Sequence, residues 1–450
     1  MSAAVSNARP KRLVSHHRLF ARLLRDPLGA LEDLGRQAGG DVAEVRLGWF
    51  TGYLVTHPDH VQHVLKGNHE NYIREGMFWR PLRRLLGNGI LIGEGRSWEH
   101  SRKVIQPFFT SRSIHAHADV IIQAVGRQVD RLDEAAASGR TLDALTEMNR
   151  ILSAASIRIF FGDRLTPAEV ARLVPAYDRA SASVVARLLL PFVPDRFPLP
   201  GDRAFRRATR DIDDVVYSLV ERTRRQPDGD DVISVLCRAQ GDSWDEAARR
   251  GVRDDAVNMI GASLETSAQA MVWLWPVLHQ NPEVASAVQE EIDRVVGAGP
   301  VTPEHLPQLQ YVKAVLQEVL RVYPSGWLFP RMALREDTIG GVRIAPGGNV
   351  LISPYVTQRM EGVWDDPLAF KPERFLTKGS TRHHRYAYFP FGGGPHTCVG
   401  NHMFLVSATL VAATILSRYR PVLVGATTFT PAPGAALRMR ERVNLALIPR

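Results

Sequence analysis

A chain of 450 residues with 45% hydrophobic and 23% charged residues has the composition of a globular protein, which excludes the disordered, collagen-like and coiled-coil classes. The two cysteines, Cys237 and Cys398, are too few for a disulfide framework or a four-cysteine zinc site, and they fit a reducing compartment. The net charge of +9 is carried almost entirely by arginine, the only lysines being Lys11, Lys66, Lys103, Lys313, Lys371 and Lys378.

No basic run is interleaved with aromatic residues, so nucleic acid is not an expected partner, and an acidic protein suits the positive charge better. The longest uncharged apolar stretch, residues 403–417, is shorter than the roughly 20 residues a bilayer span requires. No secretory apolar segment opens the chain, and a cytoplasmic protein without a membrane span is expected. The first acidic residue is Asp26, so residues 1–25 read as a basic, poorly ordered tail. No repeat or linker divides the remainder, and residues 26–450 read as one domain.

A capping side chain followed by proline marks helix starts at Asp26-Pro27, Thr166-Pro167 with Glu169, Asn281-Pro282 and Thr302-Pro303. Strand patterns occupy residues 42–48, 53–56, 338–352 with Gly340-Gly341 as a turn, and 443–448. Strands from the two ends of the chain are predicted to share a small sheet. The Pro-rich residues 190–200 join two helical stretches. Residues 252–280 form an unusually long helix candidate, apolar on most faces and therefore part of a core, with a kink predicted at Pro276. Residues 311–323 set Val312, Val315, Leu316, Val319 and Val322 at helical spacing. Glu318 and Arg321 fall three apart on a neighbouring face, where alone they read as a solvated ion pair. The pattern is mainly α with small β-sheets.

The segment from Phe389 to Gly400 sets Cys398 among glycines that permit positive φ and close backbone approach, just ahead of the apolar helix candidate from Met403. Backbone N–H groups and the positive end of that helix favour a thiolate, the form needed by a metal ligand or a nucleophile. A buried inert cysteine and a phosphate-binding glycine loop are the alternatives, the latter lacking the lysine and preceding strand of a nucleotide site.

Phe391, Gly394, His396, Cys398 and Gly400 match F-x-x-G-x-[RH]-x-C-x-G, and the chain thereby resembles the cytochrome P450 family, whose haem-binding signature this is. Further matches follow the family's order. Trp98 and Arg102 fit its W-x-x-x-R helix, residues 262–266 its A-G-x-[DE]-T, Glu318 and Arg321 its E-x-x-R helix, and Pro372 to Phe375 its P-E-R-F loop. The similarity runs from the first strands near Val42 to the C-terminus.

The resemblance implies the cytochrome P450 fold, a triangular prism with a long central helix over the haem. It implies haem b (iron protoporphyrin IX) held by Cys398 as axial ligand, a thiolate that assists O–O cleavage. Phe391, Gly394 and Gly400 belong to that cofactor site with Trp98, and Arg102, Arg331 and His396 are expected to donate to the haem propionates. Glu318, Arg321 and Arg374 form a structural triad locking the helix to the cysteine loop. Glu265 and Thr266 are similar to the acid–alcohol pair that delivers protons to dioxygen. Ser263 stands where glycine is usual, a departure that bears on the geometry of the oxygen groove. Met77, Phe78, Trp79, Met259, Ala262, Trp327, Leu328, Ala436 and Leu437 are expected to face an apolar substrate pocket, with residues 190–200 as the lid.

The activity so implied is monooxygenation of a hydrophobic small molecule (a terpenoid, fatty-acid-like or polyketide skeleton) with O2 as co-substrate. Electrons would come from NAD(P)H indirectly, through a ferredoxin or flavodoxin with its reductase, docking near Arg102, Lys103, Arg382 and Arg385. The protein is expected to be a monomer. A peroxygenase or oxidative-coupling catalyst on the same scaffold, or a non-catalytic haem sensor or carrier, are the other readings. Against the carrier stand Glu265 and Thr266, which a mere binder does not need.

Overall fold

Several helices begin where the sequence supplies a capping side chain. The computed structural model describes residues 21–23, 25–47, 50–190, 193–194, 196–376 and 384–450. Most of the basic tail, Gly48, part of the 190–200 segment and Arg382 therefore lie outside the described residues. Asp26 accepts from the Gly29 N–H at the head of Pro27–Ala38 (α1), and Thr166 and Glu169 make a reciprocal capping box ahead of Pro167–Leu189. Asn281 precedes the helix Pro282–Val295, but its amide donates back to the Val277 carbonyl and so finishes the preceding helix instead of capping the next. Thr302 opens only the short 3-10 turn Pro303–His305. Pro307 has no N–H for the Pro303 carbonyl, so an α-helical ladder cannot start at this fourth site.

The chain divides into two compact units. The first comprises Met1–Gly76, Gly326–Ala369 and Gly379–Cys398. It contains strands Ala43–Leu47 (β1), Phe50–Val55 (β2), Tyr72–Ile73 (β3), Phe329–Ala333 (β4), Asp337–Ile339 (β5), Val342–Ile344 (β6) and Asn349–Ile352 (β7). One sheet has the order β1-β2-β7-β4-β3, with β2 and β7 parallel and the other pairs antiparallel. β5 and β6 form a separate hairpin, turned at Gly340 and Gly341, both at positive φ. Residues 338–352 thus serve two sheets. Side chains of these strands, including Tyr53, Val55, Tyr72, Ile344 and Ile352, pack with Tyr386 and Phe389 in one buried cluster, so the core of this unit backs directly onto the chain leading to Cys398.

The second unit comprises Met77–Ser325, Phe370–Lys378 and Val399–Arg450. Its principal helices are Gly95–Ile105 (α2), Pro167–Leu189 (α3), Asp202–Arg225 (α4), Glu246–Gln280 (α5), Gln310–Val322 (α6) and Asn401–Arg418 (α7). α5 starts six residues before the predicted boundary, where Asp245 accepts from the Ala248 N–H, and continues through Pro276 to Gln280. Trp273 of α5 stacks on Tyr323 just past α6, with ring centroids 3.8 Å apart. α7 is apolar and long enough to cross a membrane by composition, yet most of its side chains from Met403 to Leu416 are buried within the protein.

Among the described residues, the N-terminal strands and the C-terminal strand lie in different sheets. The C-terminal strand Asn444–Pro449 pairs with Leu142–Asp143 and Tyr419–Val424, all in the second unit. α7 runs straight into Tyr419–Val424, which gives the C-terminal strand an antiparallel partner along its whole length.

Candidate active site

In the first unit, the loop carrying Cys398 is built on glycine. Gly392 and Gly394 have φ of 71° and 66°, conformations that an L side chain resists. A Cβ on Gly393 would overlap the ring of Tyr386, and one on Gly394 would overlap the Leu65 carbonyl oxygen. The loop closes on itself when the Cys398 N–H donates to the Phe391 carbonyl at 2.9 Å and the Thr397 hydroxyl donates to the Gly394 carbonyl at 2.7 Å. Cys398 is exposed and in no disulfide, and His396, Phe391 and Gly394 are half-buried. The other cysteine is its opposite: burial pushes the Cys237 thiol up to about 12, so it is inert at neutral pH. Arg331 lies buried in β4 with a guanidinium N–H donated to the Pro330 carbonyl.

In the second unit, α5 is exposed at its two ends and buried between them except at one mid-helix opening. Ala262 and Thr266, one turn apart, are exposed, and Ser263, Glu265 and Ser267 are partly so, between fully buried stretches on either side. The Thr266 hydroxyl donates to the Ala262 carbonyl at 2.6 Å, and the Ser263 hydroxyl donates to the Ile260 carbonyl at 3.0 Å. Ser263 therefore spends its proton on its own helix. Glu265 is not a free acid. Its carboxylate receives Arg438 through Nε at 3.0 Å and Nη2 at 2.8 Å, and the Ser181 hydroxyl of α3 at 2.6 Å. Asp178, one turn before Ser181, has its carboxyl raised by burial and by the charge of Glu265, with Arg438 opposing.

On α2, Trp98 and Arg102 are half-buried one turn apart, and Arg102 donates to the Gln106 side chain at 2.9 Å. The same helix is pinned beside them: the Ser101 hydroxyl donates to Asp255 of α5 at 2.6 Å. α5 also holds the preceding segment by its backbone, Asn88 N–H on Asp254, Ile90 N–H on Asp255 and Leu91 N–H on Asn258, at 2.8 to 2.9 Å. Burial raises the Asp255 carboxyl to about 7 against the hydrogen bonds it accepts.

Glu318 and Arg321 of α6 are completely buried, joined at 2.6 and 2.7 Å. Glu318 also accepts the Lys371 N–H at 2.9 Å and lies 3.4 Å from Arg374 Nε. One carboxylate therefore fastens α6 to the 371–374 segment with two guanidiniums and a backbone amide, the pairing that buried charges demand.

The sequence model described as Cytochrome P450 matches residues 16–440. The chain belongs to the cytochrome P450 family. It is 31% identical to cyclooctatin synthase of Streptomyces melanosporofaciens over 97% of this chain and 92% of that one. It is 32% identical to cyclooctat-9-en-7-ol 5-monooxygenase of the same organism, over 92% and 88%. The heme domain of cytochrome P450DA superposes with a TM-score of 0.82 at 18% identity, covering 94% of this chain and 93% of that domain, and so shares its fold. Membership makes this P450 an oxidoreductase of the monooxygenase class that uses a haem iron and O2. Its own donor set fits that group. In the first unit an exposed thiol stands on a glycine-shaped loop while the other cysteine of the chain is buried, and in the second α5 has, by itself, an open face at Ala262 and Thr266.

Among the substrate-facing residues expected of this P450, Ala262 is exposed and Met77, Phe78, Trp79, Trp327 and Leu328 are half-buried. Met259, Ala436 and Leu437 are instead covered by protein, at 4%, 1% and 0% exposure, with the Leu437 N–H fixed to the Ser325 carbonyl. Flanking the expected lid, Arg187 pairs with Asp202, whose carboxyl it draws down to about 2, and donates to the lid carbonyls of Val193, Pro194 and Phe197. Lys103 and Arg385 are exposed, each in its own unit. The residues that sequence reasoning missed are Arg438, Ser181, Asp178 and Asp255. None lies in a motif, and Arg438 is 173 residues from the carboxylate it binds.

Proposed function

We propose that this P450 hydroxylates a hydrophobic terpenoid, taking electrons from a separate ferredoxin or flavodoxin with its NAD(P)H-dependent reductase, and that its cofactor is haem b. The observation that carries the reading is the pairing of an exposed Cys398 thiol with long-range similarity to a cyclooctat-9-en-7-ol 5-monooxygenase. Terpenoid substrates are favoured over fatty acids and polyketides because the relatives' names refer to cyclooctatin compounds.

When bound, the haem supplies activation of dioxygen and transfer of one oxygen atom to a C–H bond. In the first unit, Cys398 is the ligand, with Phe391 and Gly394 shaping its loop and Arg331 and His396 donating to propionate. In the second, Trp98 and Gly400 are cofactor-binding residues and Arg102 is a propionate donor. Thr266 holds a hydroxyl proton on the open face of α5, returned to the Ala262 carbonyl when not in use. Glu265 accepts and gives protons next to it, held between Arg438 and Ser181 so that its carboxylate has a fixed position. Residues 26–450 act as one catalytic domain, working as a cytoplasmic monomer.

The test is steady-state oxidation of a terpene panel by purified holoenzyme with a surrogate ferredoxin and reductase. Hydroxylated product with matching NAD(P)H consumption is expected. Substrate-induced spectral shifts without product across terpenes, fatty acids and macrolides would replace the enzyme with a haem-binding carrier.

A further inference from the structure

The cysteine loop rests on a short helical turn with an unusual hydrogen-bond pattern, and one carboxylate holds that turn. Residues His63–Gly67 form a π-helical turn, in which each N–H reaches one residue further back than in an α-helix and the Asn68 N–H donates to the His63 carbonyl at 2.8 Å. Such turns are less stable than α-helical ones and recur beside functional sites. This one abuts the loop directly, since the Leu65 carbonyl oxygen occupies the space a Cβ of Gly394 would need and Lys66 Cα lies next to it. Gly394 in turn accepts both the N–H and the hydroxyl of Thr397, the residue before Cys398.

Both ends of the π turn are tied to Asp337, at the start of β5. His63 Nε2 lies 2.8 Å from its Oδ2, and Asn68 Nδ2 donates to the same oxygen at 2.9 Å. The Tyr72 hydroxyl adds a third bond at 2.7 Å, and the Thr338 N–H donates to Oδ1 at 2.7 Å. Burial pushes this carboxyl up, but the bonds from Tyr72, His63, Thr338 and Asn68 outweigh it and hold Asp337 at about 2, so it is ionised throughout the range in which the protein works. A fixed anion thus clamps a turn that would otherwise relax toward α-helical spacing.

We propose that Asp337 is a positioning residue for the Cys398 thiolate, acting through His63 and Asn68 on the π turn and through that turn on Gly394. The proposal rests on Cys398 being the iron ligand. Neither Asp337 nor its partners belong to a motif used to recognise the site, and all of them lie in the same unit as Cys398.

The experiment uses purified holoenzyme carrying Asp337→Asn, Asp337→Glu and Asn68→Ala, the last a milder cut should Asp337→Asn fold poorly. Asp337→Asn should speed haem loss to apomyoglobin about tenfold, the low end of what outer-shell partners contribute at metal sites. It should also reduce the share of the retained haem that shows the thiolate signature in the reduced CO complex. Asn68→Ala should do the same to a smaller extent, and Asp337→Glu should restore part of the signature. In hydrogen exchange of the apoprotein, the Cys398 amide, bonded to Phe391, should open faster in Asp337→Asn than amides of α5 do. Wild-type haem retention and thiolate share in both Asp337→Asn and Asn68→Ala, even with a lowered melting temperature, overturns the positioning role. Cys398→Ser, run alongside, separates the two readings: a persisting thiolate signature there removes the ligand assignment, and the proposal with it.

Discussion

The guanidinium of Arg438 grips the carboxylate of Glu265 with two N–H groups, at 3.0 and 2.8 Å, across 173 residues of sequence. Glu265 is therefore a positioned acid and not a free one. Its second oxygen is taken by Ser181, so one carboxylate joins α5 to α3 and to the strand Arg438–Met439. Cutting this pair should change proton handling more than folding. Arg438→Met should cost about 1 kcal/mol of stability, as a partly exposed ion pair does, while product formed per NAD(P)H falls and peroxide rises. Arg438→Lys should retain most of the coupling. Equal product-to-NAD(P)H ratios in all three proteins would remove Glu265 from the proton route.

Thr266 is exposed at the open face of α5 with its hydroxyl bonded to Ala262. Thr266→Ala should leave haem content and substrate affinity unchanged and improve helix propensity slightly, by about 0.5 kcal/mol. It should nevertheless divert electrons from product to peroxide. Measured peroxide equal to that of the parent enzyme would refute the role assigned to the hydroxyl.

Glu318 and Arg321 are both at 0% exposure. Removing one partner strands the other's charge, at a cost of about 3–5 kcal/mol. Glu318→Ala should therefore yield protein with little haem, where Thr266→Ala yields fully loaded protein. The ratio of haem absorbance to protein absorbance after purification distinguishes the two.

Asp255 makes stability depend on pH. Its carboxyl titrates near 7 in the folded protein against an ordinary 3.8, so between those values the folded state binds the extra proton. Stability therefore falls as pH rises through this window and levels off above it. Asp255→Asn keeps both bonds in kind, accepting from Ile90 through Oδ1 and meeting Ser101 through its amide, and should flatten the slope. Urea midpoints measured from pH 4.5 to 8 check this, and a variant with the parent's slope would place the titration elsewhere.

The two thiols should differ in chemistry. In apoprotein an alkylating reagent should modify exposed Cys398 and leave buried Cys237 untouched, and adding haemin should protect Cys398. Peptide mass mapping reads both sites. Labelling of Cys398 that is indifferent to haemin would contradict its role as ligand.

Local chemistry was legible in the sequence because it is short-ranged. The cap at Asp26 and the capping box at Thr166 involve residues within three positions of each other, and the glycines around Cys398 announce a loop that only they can adopt. The Glu318–Arg321 pair was visible for the same reason, being one helical turn apart. Periodicity located α5 and α6 within a few residues, since a buried helix must repeat its apolar face. Thr302 misled because the decisive residue, Pro307, acts through a bond it cannot make one turn later.

Sequence by itself determined the glycine-shaped cysteine loop, the helical character and the family, all of which rest on neighbours in the chain. Only the tertiary structure decided that Glu265 faces Arg438, that Ser101 and three backbone amides lean on α5, and that Asp337 stands behind the cysteine loop. Those bonds join residues whose side chains carry no local signature of each other. A carboxylate's partner is chosen by which donors the packing of helices and strands delivers within about 3 Å of it, and that selection is made only once the chain has folded.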